Sequence, residues 1–275
     1  DIKVKARGRV INNTNSENTL VGFGLGLALA GANAIFFMRQ MDFLLLTADQ
    51  LVNTYNIIRN KPEGVKGSFT IMTTIIDQGY EGPQSSLNAL GDFCSLARIS
   101  GFTVTNKTDA EMIIRKHLVS PGFRIIAASP RLYRSEIIEP GQALYQSSAL
   151  DLFQYEAGKD VTVVCFKLSF PNGYELVRVM KGRDVKPSLF NVNSPTPIHW
   201  AKIIENVKQT KKLVVLDDSK SLNHSYYSFL AEVSGKVELE KKIVVARNFE
   251  GDVGFGPSPD QLDIDYTKIA DQIDK

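Results

Sequence analysis

The chain has 275 residues, and 32 Lys plus Arg against 30 Asp plus Glu leave a formal net charge of +2. A chain of that length can bury a sizeable core, as one large domain or two smaller ones. The near-balance of charge gives no support to a nucleic-acid surface, and two cysteines with three unclustered histidines exclude a disulfide framework and argue against a triple-histidine metal site.

Taken in order, the first half alternates helical and strand patterns. Thr19 to Met38 carries no charge and approaches the ~20 residues that span a bilayer. Gly31 and Asn33 interrupt it, however, and the segment then turns β-prone. A buried helix at Leu20 to Ala30, a turn at Gly31 and a short buried strand at Ala34 to Met38 explain those breaks better than a membrane span. Gly22 and Gly26 lie four apart on one helical face, where another backbone could approach closely. Asp42 to Ile58 has the length of a helix. Ser68 to Ile75 reads as a strand, and the DQGYEGPQSS that follows as a loop. Leu87 to Ala97 and Asp109 to Val119 have helical spacing. Gly101 to Thr105 and Phe123 to Ala127 read as strands. The order predicts an α/β fold with a largely parallel sheet.

A boundary falls between residues 136 and 158, which separates an expected first domain at 1–145 from a second at 155–275. In the second, Val161 to Phe166, Lys212 to Leu216 and Lys242 to Val245 are strand candidates. Ile198 to Val207, Tyr226 to Val233 and Tyr266 to Ile273 are helix candidates. Val185 to Pro197 is rich in Pro, Asn and Ser and reads as a crossing loop. His199 and Trp200 read as helix-start packing or as a contact at a seam. Cys94 and Cys165 sit in apolar stretches and read as buried thiols. Asp217 and Asp218 suit a strand end, and no ligand spacing makes them a metal site. No amino-terminal targeting pattern precedes the first helix, which leaves a cytoplasmic location as the expectation.

Several segments resemble, in order and spacing, the beta subunits of thiamine-diphosphate-dependent 2-oxoacid dehydrogenases. ENTLVGFGLGLALAG resembles the segment in which a catalytic glutamate precedes a glycine-rich helix, and Glu17 falls five residues before Gly22. MDFLLLTADQLVN resembles the next segment, with Phe43 at the position of an aromatic residue that meets the cofactor pyrimidine. DQGYEGPQSS resembles an active-site loop, SPRLYRSEI the end of the pyrimidine-binding domain, GKDVTVVCF the opening of the carboxy-terminal domain, and KQTKKLVVLDDS a later strand of it. The resemblance begins inside the usual first domain, so the ordinary amino-terminal portion looks shortened.

This resemblance implies a thiamine-diphosphate pyrimidine-binding domain followed by a smaller transketolase C-terminal-like α/β domain. It also implies that a diphosphate-binding alpha-like subunit completes an alpha2beta2 heterotetramer and carries Mg2+. In keeping with that, no GDG-initiated diphosphate motif appears, and Gly91 to Phe93 (GDF) is no substitute. Glu17 would hydrogen-bond the pyrimidine N1′ and favour the imino form that takes the thiazolium C2 proton, a role suited to a carboxylate. Read without the resemblance, Glu17 is a first-turn helix residue beside positive backbone ends, capped by Ser16 or Asn18. Phe43 would stack on the pyrimidine, or simply pack in the core. Asp42 could cap the helix or order a nearby group.

Gln84 and Ser85 are substrate-side candidates. Family members commonly carry a histidine where this chain has Ser85, and serine is a poor base. Arg131, Tyr133 and Arg134 match a strand edge that makes inter-subunit contacts, with substrate anion binding as an alternative. The implied activity is decarboxylation of a 2-oxoacid and transfer of the acyl equivalent to a lipoyl carrier or an aldehyde. A ketol transferase or acyloin-forming carboligase, and a non-catalytic subunit of the same fold, remain open. No nucleic-acid or membrane partner is expected.

Overall fold

The computed structural model describes residues 8–60, 64–79, 87–133, 136–194, 199–247 and 262–274. Helix α1 (Glu17–Leu29) begins at Ser16, which occupies the N-cap position but spends its hydroxyl on Thr19 Oγ1 (2.9 Å) rather than on a backbone N–H. The helix ends where Gly31 takes φ +87°, a conformation costly for any residue with a Cβ. Strand β1 (Asn33–Met38) follows. The uncharged stretch is therefore helix, turn and strand, and among the described residues no helix is long and apolar enough to cross a membrane.

Residues 41–59 wind helically but not as one regular helix. Met41–Thr47 is a 3-10 segment, Gln50–Thr54 a π-type turn, and only Tyr55–Arg59 (α2) is a regular terminal α-turn. The cause lies in the spacing of the buried side chains. Met41, Leu44 and Thr47 recur every third residue, and three residues per turn puts them on one face. The expectation of a single α-helix over 42–58 is corrected accordingly.

Strands β2 (Ser68–Thr74), β3 (Ser100–Thr103) and β4 (Gly122–Ala128), with helices α3 (Leu90–Ala97) and α4 (Lys107–His117), complete the first unit. Its sheet is fully parallel in the order β1-β2-β4-β3. Alternation along the strands sends Phe69, Ile71, Phe123, Ile125 and Ala127 to one face. There they meet Val21 and Leu25 of α1, the 41–59 segment and α3. Ile126 faces the other side with α4.

The second sheet runs β10-β9-β7-β8-β6-β5. Its members are β5 (Tyr145–Gln146), β6 (Leu152–Glu156), β7 (Val161–Phe166), β8 (Pro187–Val192), β9 (Lys212–Asp217) and β10 (Lys241–Ala246). The four strands from β7 onward are parallel, and β6 and β5 add antiparallel at one edge. Helices α5 (Phe170–Lys181) and α8 (Tyr266–Asp274) pack on one face. Helices α6 (Ala201–Thr210) and α7 (Tyr226–Ser234) pack on the other, around Trp200, Phe166 and Phe229. Trp200 is thus a core residue at a helix start, while His199 is exposed.

Strands β5 and β6 arise within the segment read as a boundary, and two further elements of this unit depart from the sequence reading. Residues 187–192, expected as loop, form the buried strand β8. Its polar side chains are paired: Ser188 Oγ donates to Gly158 O (2.9 Å), and Asn191 Nδ2 donates to Thr105 Oγ1 (2.8 Å). Helix α5 is not among the elements read from the sequence, because Pro171 and Gly173 look like breakers. Pro171 instead sits in the first turn, where its missing N–H costs nothing, and Gly173 makes room for Cys165 Sγ.

The two units share a core: Phe102, Val104, Ile113 and Ile126 pack in one cluster with Val163, Cys165 and Phe170. They also share a buried polar joint. Asn106 caps α4 in a reciprocal capping box with Asp109, and Asp109 Oδ2 accepts from Asn193 Nδ2 (2.6 Å) beyond β8. Burial pushes the Asp109 carboxyl up to about 6, against the donors of Thr105, Asn193 and Asn106.

Candidate functional site

Glu17 is the first residue of α1, so its carboxylate stands among unpaired N–H groups at the positive end of the helix. Helix α1 leads into β1 and packs against both β1 and the 41–47 segment. A helix entering a strand in this way puts its amino end at the strand's carboxyl end. The 41–47 segment leaves from that same end. This chain order directs the start of α1 and the 41–47 segment toward the carboxyl end of β1, the end of parallel strands where α/β folds bind ligands. Glu17 and Phe43 are both half-buried, and one flank of the Phe43 ring packs on the core.

The glycines of α1 shape this contact differently from the expectation. At Gly22 an added Cβ would lie 2.9 Å from Gln50 Oε1, so the glycine seats the amide of the π-type turn. Gly26 faces open space, with nothing within 4 Å. Among the described residues no backbone atom is the nearest neighbour of an added Cβ at either glycine, and Gly24, against the Phe69 ring, is the tightest glycine of α1.

Asp42 lies within the 3-10 segment, whose N-cap position is Gln40. The Asp42 carboxylate accepts the backbone N–H of Leu87 (3.3 Å), the first described residue after the 80–86 segment. Gln84, Ser85 and Arg134 lie outside the described residues. Ile76 N donates to Leu87 O (3.2 Å), so the chain on either side of that segment is drawn together. Arg131 forms an ion pair with buried Asp77, which also accepts from Ser129 Oγ (2.6 Å). Tyr133 OH shares a hydrogen bond with Thr74 Oγ1 (2.8 Å). Within this chain both residues have structural partners.

Around Asp77 the two units meet in a polar network. Asn88 Nδ2 donates to Asp218 O (2.9 Å) and Asp218 Oδ2 (2.8 Å). Arg247 donates to Asp77 O and Asp218 O. Beside it, fully buried Lys167 donates to Ser219 Oγ and lies 3.6 Å from Asp217. Burial would raise the Asp217 carboxyl, but Lys167 and the Ser219 donors outweigh it and hold the group below the usual range. Asp218 goes the other way. Burial pushes it up to about 6, opposed by Lys167 and Arg247 and reinforced by Asp217 and Asp77. Asp77, Asn88, Lys167, Lys220 and Arg247 carry this network, and no sequence spacing singles them out because they come from five separate segments.

Cys94 and Cys165 are buried free thiols, and burial pushes Cys94 up to about 12. His117 stacks on Phe102 at 4.3 Å, and His224 on Tyr226 at 5.2 Å. Among the described residues no group of His, Cys, Asp and Glu is arranged to hold a metal ion.

A cavity of about 600 Å³ opens elsewhere, between β1, β2, β4 and α4, lined by Phe37, Met72, Val104 and Ile126 with Lys107 and Glu136 at its edge. Met72 and Ile126 alternate with the residues that face α1. The cavity therefore lies on the opposite side of the sheet from the α1 packing, and neither Glu17 nor Phe43 lines it. Its apolar walls offer little to an ionic cofactor.

No family model matches the chain. In overall shape it is similar to a split gene transketolase described as an inactive beta4 tetramer, with a TM-score of 0.63 and 16% identity over 94% of this chain and 80% of the other. The fold is thus transketolase-like α/β, with a parallel four-stranded sheet followed by a mixed six-stranded one. In sequence the chain resembles beta subunits of the pyruvate dehydrogenase E1 component, as the motif order implied. It is 22% identical over 219 residues to the mitochondrial subunit of Dictyostelium discoideum, which covers 76% of this chain and 60% of that protein. It is 21% identical to the Rhizobium meliloti subunit, over 76% of this chain and 46% of the relative. For the Cyanidium caldarium subunit the identity is 23%, over 76% and 64%. The chain thus spans about half to two thirds of the length of these relatives.

Proposed function

We propose that this chain is the pyrimidine-side, beta-like subunit of a two-component thiamine-diphosphate enzyme. One observation supports the reading: the glycine-rich helix that begins at Glu17 packs on the 41–47 segment, which carries the half-buried ring of Phe43. The residues present fit a cofactor held from its pyrimidine side. Glu17 can hold a proton at pyrimidine N1′, and Phe43 can cover the ring. The donor set of the described residues does not suit a magnesium diphosphate, so that end falls to an alpha-like partner, with Mg2+ and an alpha2beta2 assembly.

When bound, the thiazolium supplies the electron sink for loss of CO2 from a 2-oxoacid. This chain's own work is narrower. Glu17 sets the protonation of N1′, and Phe43, packed on the core along one flank, orients the ring. Gln84 and Ser85 border the substrate in this reading, which passes the acyl equivalent to a lipoyl carrier or an aldehyde. The resemblance in shape to a transketolase beta chain favours ketol transfer or carboligation as the second reading. That neighbour's description as an inactive beta4 tetramer supports the view that such a chain needs its partner for activity.

The test is to co-purify the chain with its partner and titrate thiamine diphosphate with Mg2+. Saturable binding by the pair, and by neither chain alone, is expected. Products from a 2-oxoacid with either a lipoyl or an aldehyde acceptor then separate the two enzyme readings. A pair that binds no cofactor would leave a non-catalytic subunit of the same fold.

A further inference from the structure

Several side chains of the second unit reach the first unit beside the candidate site, and Lys220 makes two of the contacts. Lys220 follows the carboxyl end of β9 and bridges to two points of the first unit. Its Nζ donates to Gly79 O (2.5 Å) and its backbone N donates to Asn88 O (3.0 Å). Gly79 and Asn88 are nine positions apart in sequence, so a single residue ties both ends of that stretch. Its neighbours strengthen the tie. Asp218 accepts from Asn88 Nδ2, and Arg247 reaches both Asp77 O and Asp218 O. On the far side of the same stem, Leu87 donates to Asp42, the residue before Phe43.

We propose that Lys220 is a positioning residue for the cofactor-facing edge: it pins Gly79 and Asn88 to the second unit and, through Leu87 and Asp42, fixes the segment that carries Phe43. The ammonium makes a charge-assisted bond to a carbonyl in a half-buried setting, which is stronger than a neutral bond and holds a fixed direction. Gly79 has φ +64°, so its carbonyl is set by a backbone conformation that an ordinary residue would resist. Without the clamp, the stem and the 41–47 segment sample more arrangements. Apparent cofactor affinity then falls by the fraction of time the competent arrangement is populated.

This inference rests on the proposed function for its cofactor arm but not for its structural arm. Lys220→Met removes the Nζ bond and keeps the backbone one, while Lys220→Arg keeps a cationic donor. Amide hydrogen exchange on the full chain is expected to speed up about tenfold at residues 76–79 and 87–88 in K220M and to return toward wild type in K220R. In the complex with its partner, K220M is expected to weaken thiamine-diphosphate binding about three- to tenfold, with turnover at saturating cofactor within about twofold of wild type. Unchanged exchange in K220M overturns the clamp. Faster exchange with unaltered cofactor affinity overturns the positioning role. If the wild-type pair binds no thiamine diphosphate, the functional reading fails, and exchange alone then judges the clamp.

Discussion

Gly24 of α1 lies against the ring of Phe69 in β2 so closely that an added Cβ would come within 2.3 Å of its Cε2. Phe69 is buried and stacks on Phe123 with ring centroids 5.1 Å apart, so it has little room to retreat. Gly24→Ala should therefore destabilise the chain by about 1–3 kcal/mol, the usual cost of overpacking. Gly26→Ala meets nothing and should be neutral or stabilising by up to about 1 kcal/mol through helix propensity. Urea unfolding of the two variants measures the contrast. Equal losses would mean that α1 does not sit on Phe69.

Glu17→Gln removes the carboxylate and leaves the shape. In the assembled enzyme, C2 proton exchange of bound thiamine diphosphate should fall about 10²-fold or more. Exchange followed by NMR after acid quench reads it directly. A rate equal to wild type would remove Glu17 from the proton relay.

Phe43→Ala takes away a ring while its segment stays anchored by Met41 and Leu44. Cofactor binding, measured by calorimetry on the pair, should weaken about tenfold from lost stacking. Phe43→Tyr should bind nearly as well as wild type. Full affinity in the alanine variant would return Phe43 to a packing role.

Asp218 gives a pH prediction. Its folded-state carboxyl, raised to about 6 from 3.8, holds its proton where the unfolded chain has lost it. The contribution of this group to stability is thus most favourable below pH 4 and falls as pH rises from about 4 to 6. Once ionised it costs on the order of 3 kcal/mol relative to that limit. Asp218→Asn cannot titrate and retains an acceptor for Asn88 Nδ2. The unfolding free energy of wild type minus that of D218N should therefore decline across pH 4 to 6. A flat difference would mean that Lys167 and Arg247 keep Asp218 ionised throughout.

Much of the fold was legible because hydrophobic period is a local property. The uncharged 19–38 stretch resolved into helix, glycine turn and strand from residues within it, and the parallel strands other than β8 were read from short runs of apolar and β-branched residues. Strand β8 was not legible, because Ser188 and Asn191 look like loop residues until Gly158 and Thr105, distant in sequence, accept their hydrogen bonds. Helix α5 was hidden by Pro171 and Gly173, whose effect depends on where in a turn each falls and on Cys165 packing behind the glycine.

The sequence by itself determined that a carboxylate precedes a glycine-rich helix, that an aromatic residue opens the next helical segment, and that the order of motifs resembles beta subunits of 2-oxoacid dehydrogenases. Covalent order and side-chain type suffice for that much. Only the tertiary structure decided that α1 packs on the 41–47 segment, and that Gly24 rather than Gly26 is the tight contact. The same holds for the second unit's hold on the stem beside Phe43 through Asp218, Lys220 and Arg247. These are contacts between residues far apart in the chain, set by strand order and crossover geometry, and no local pattern carries them.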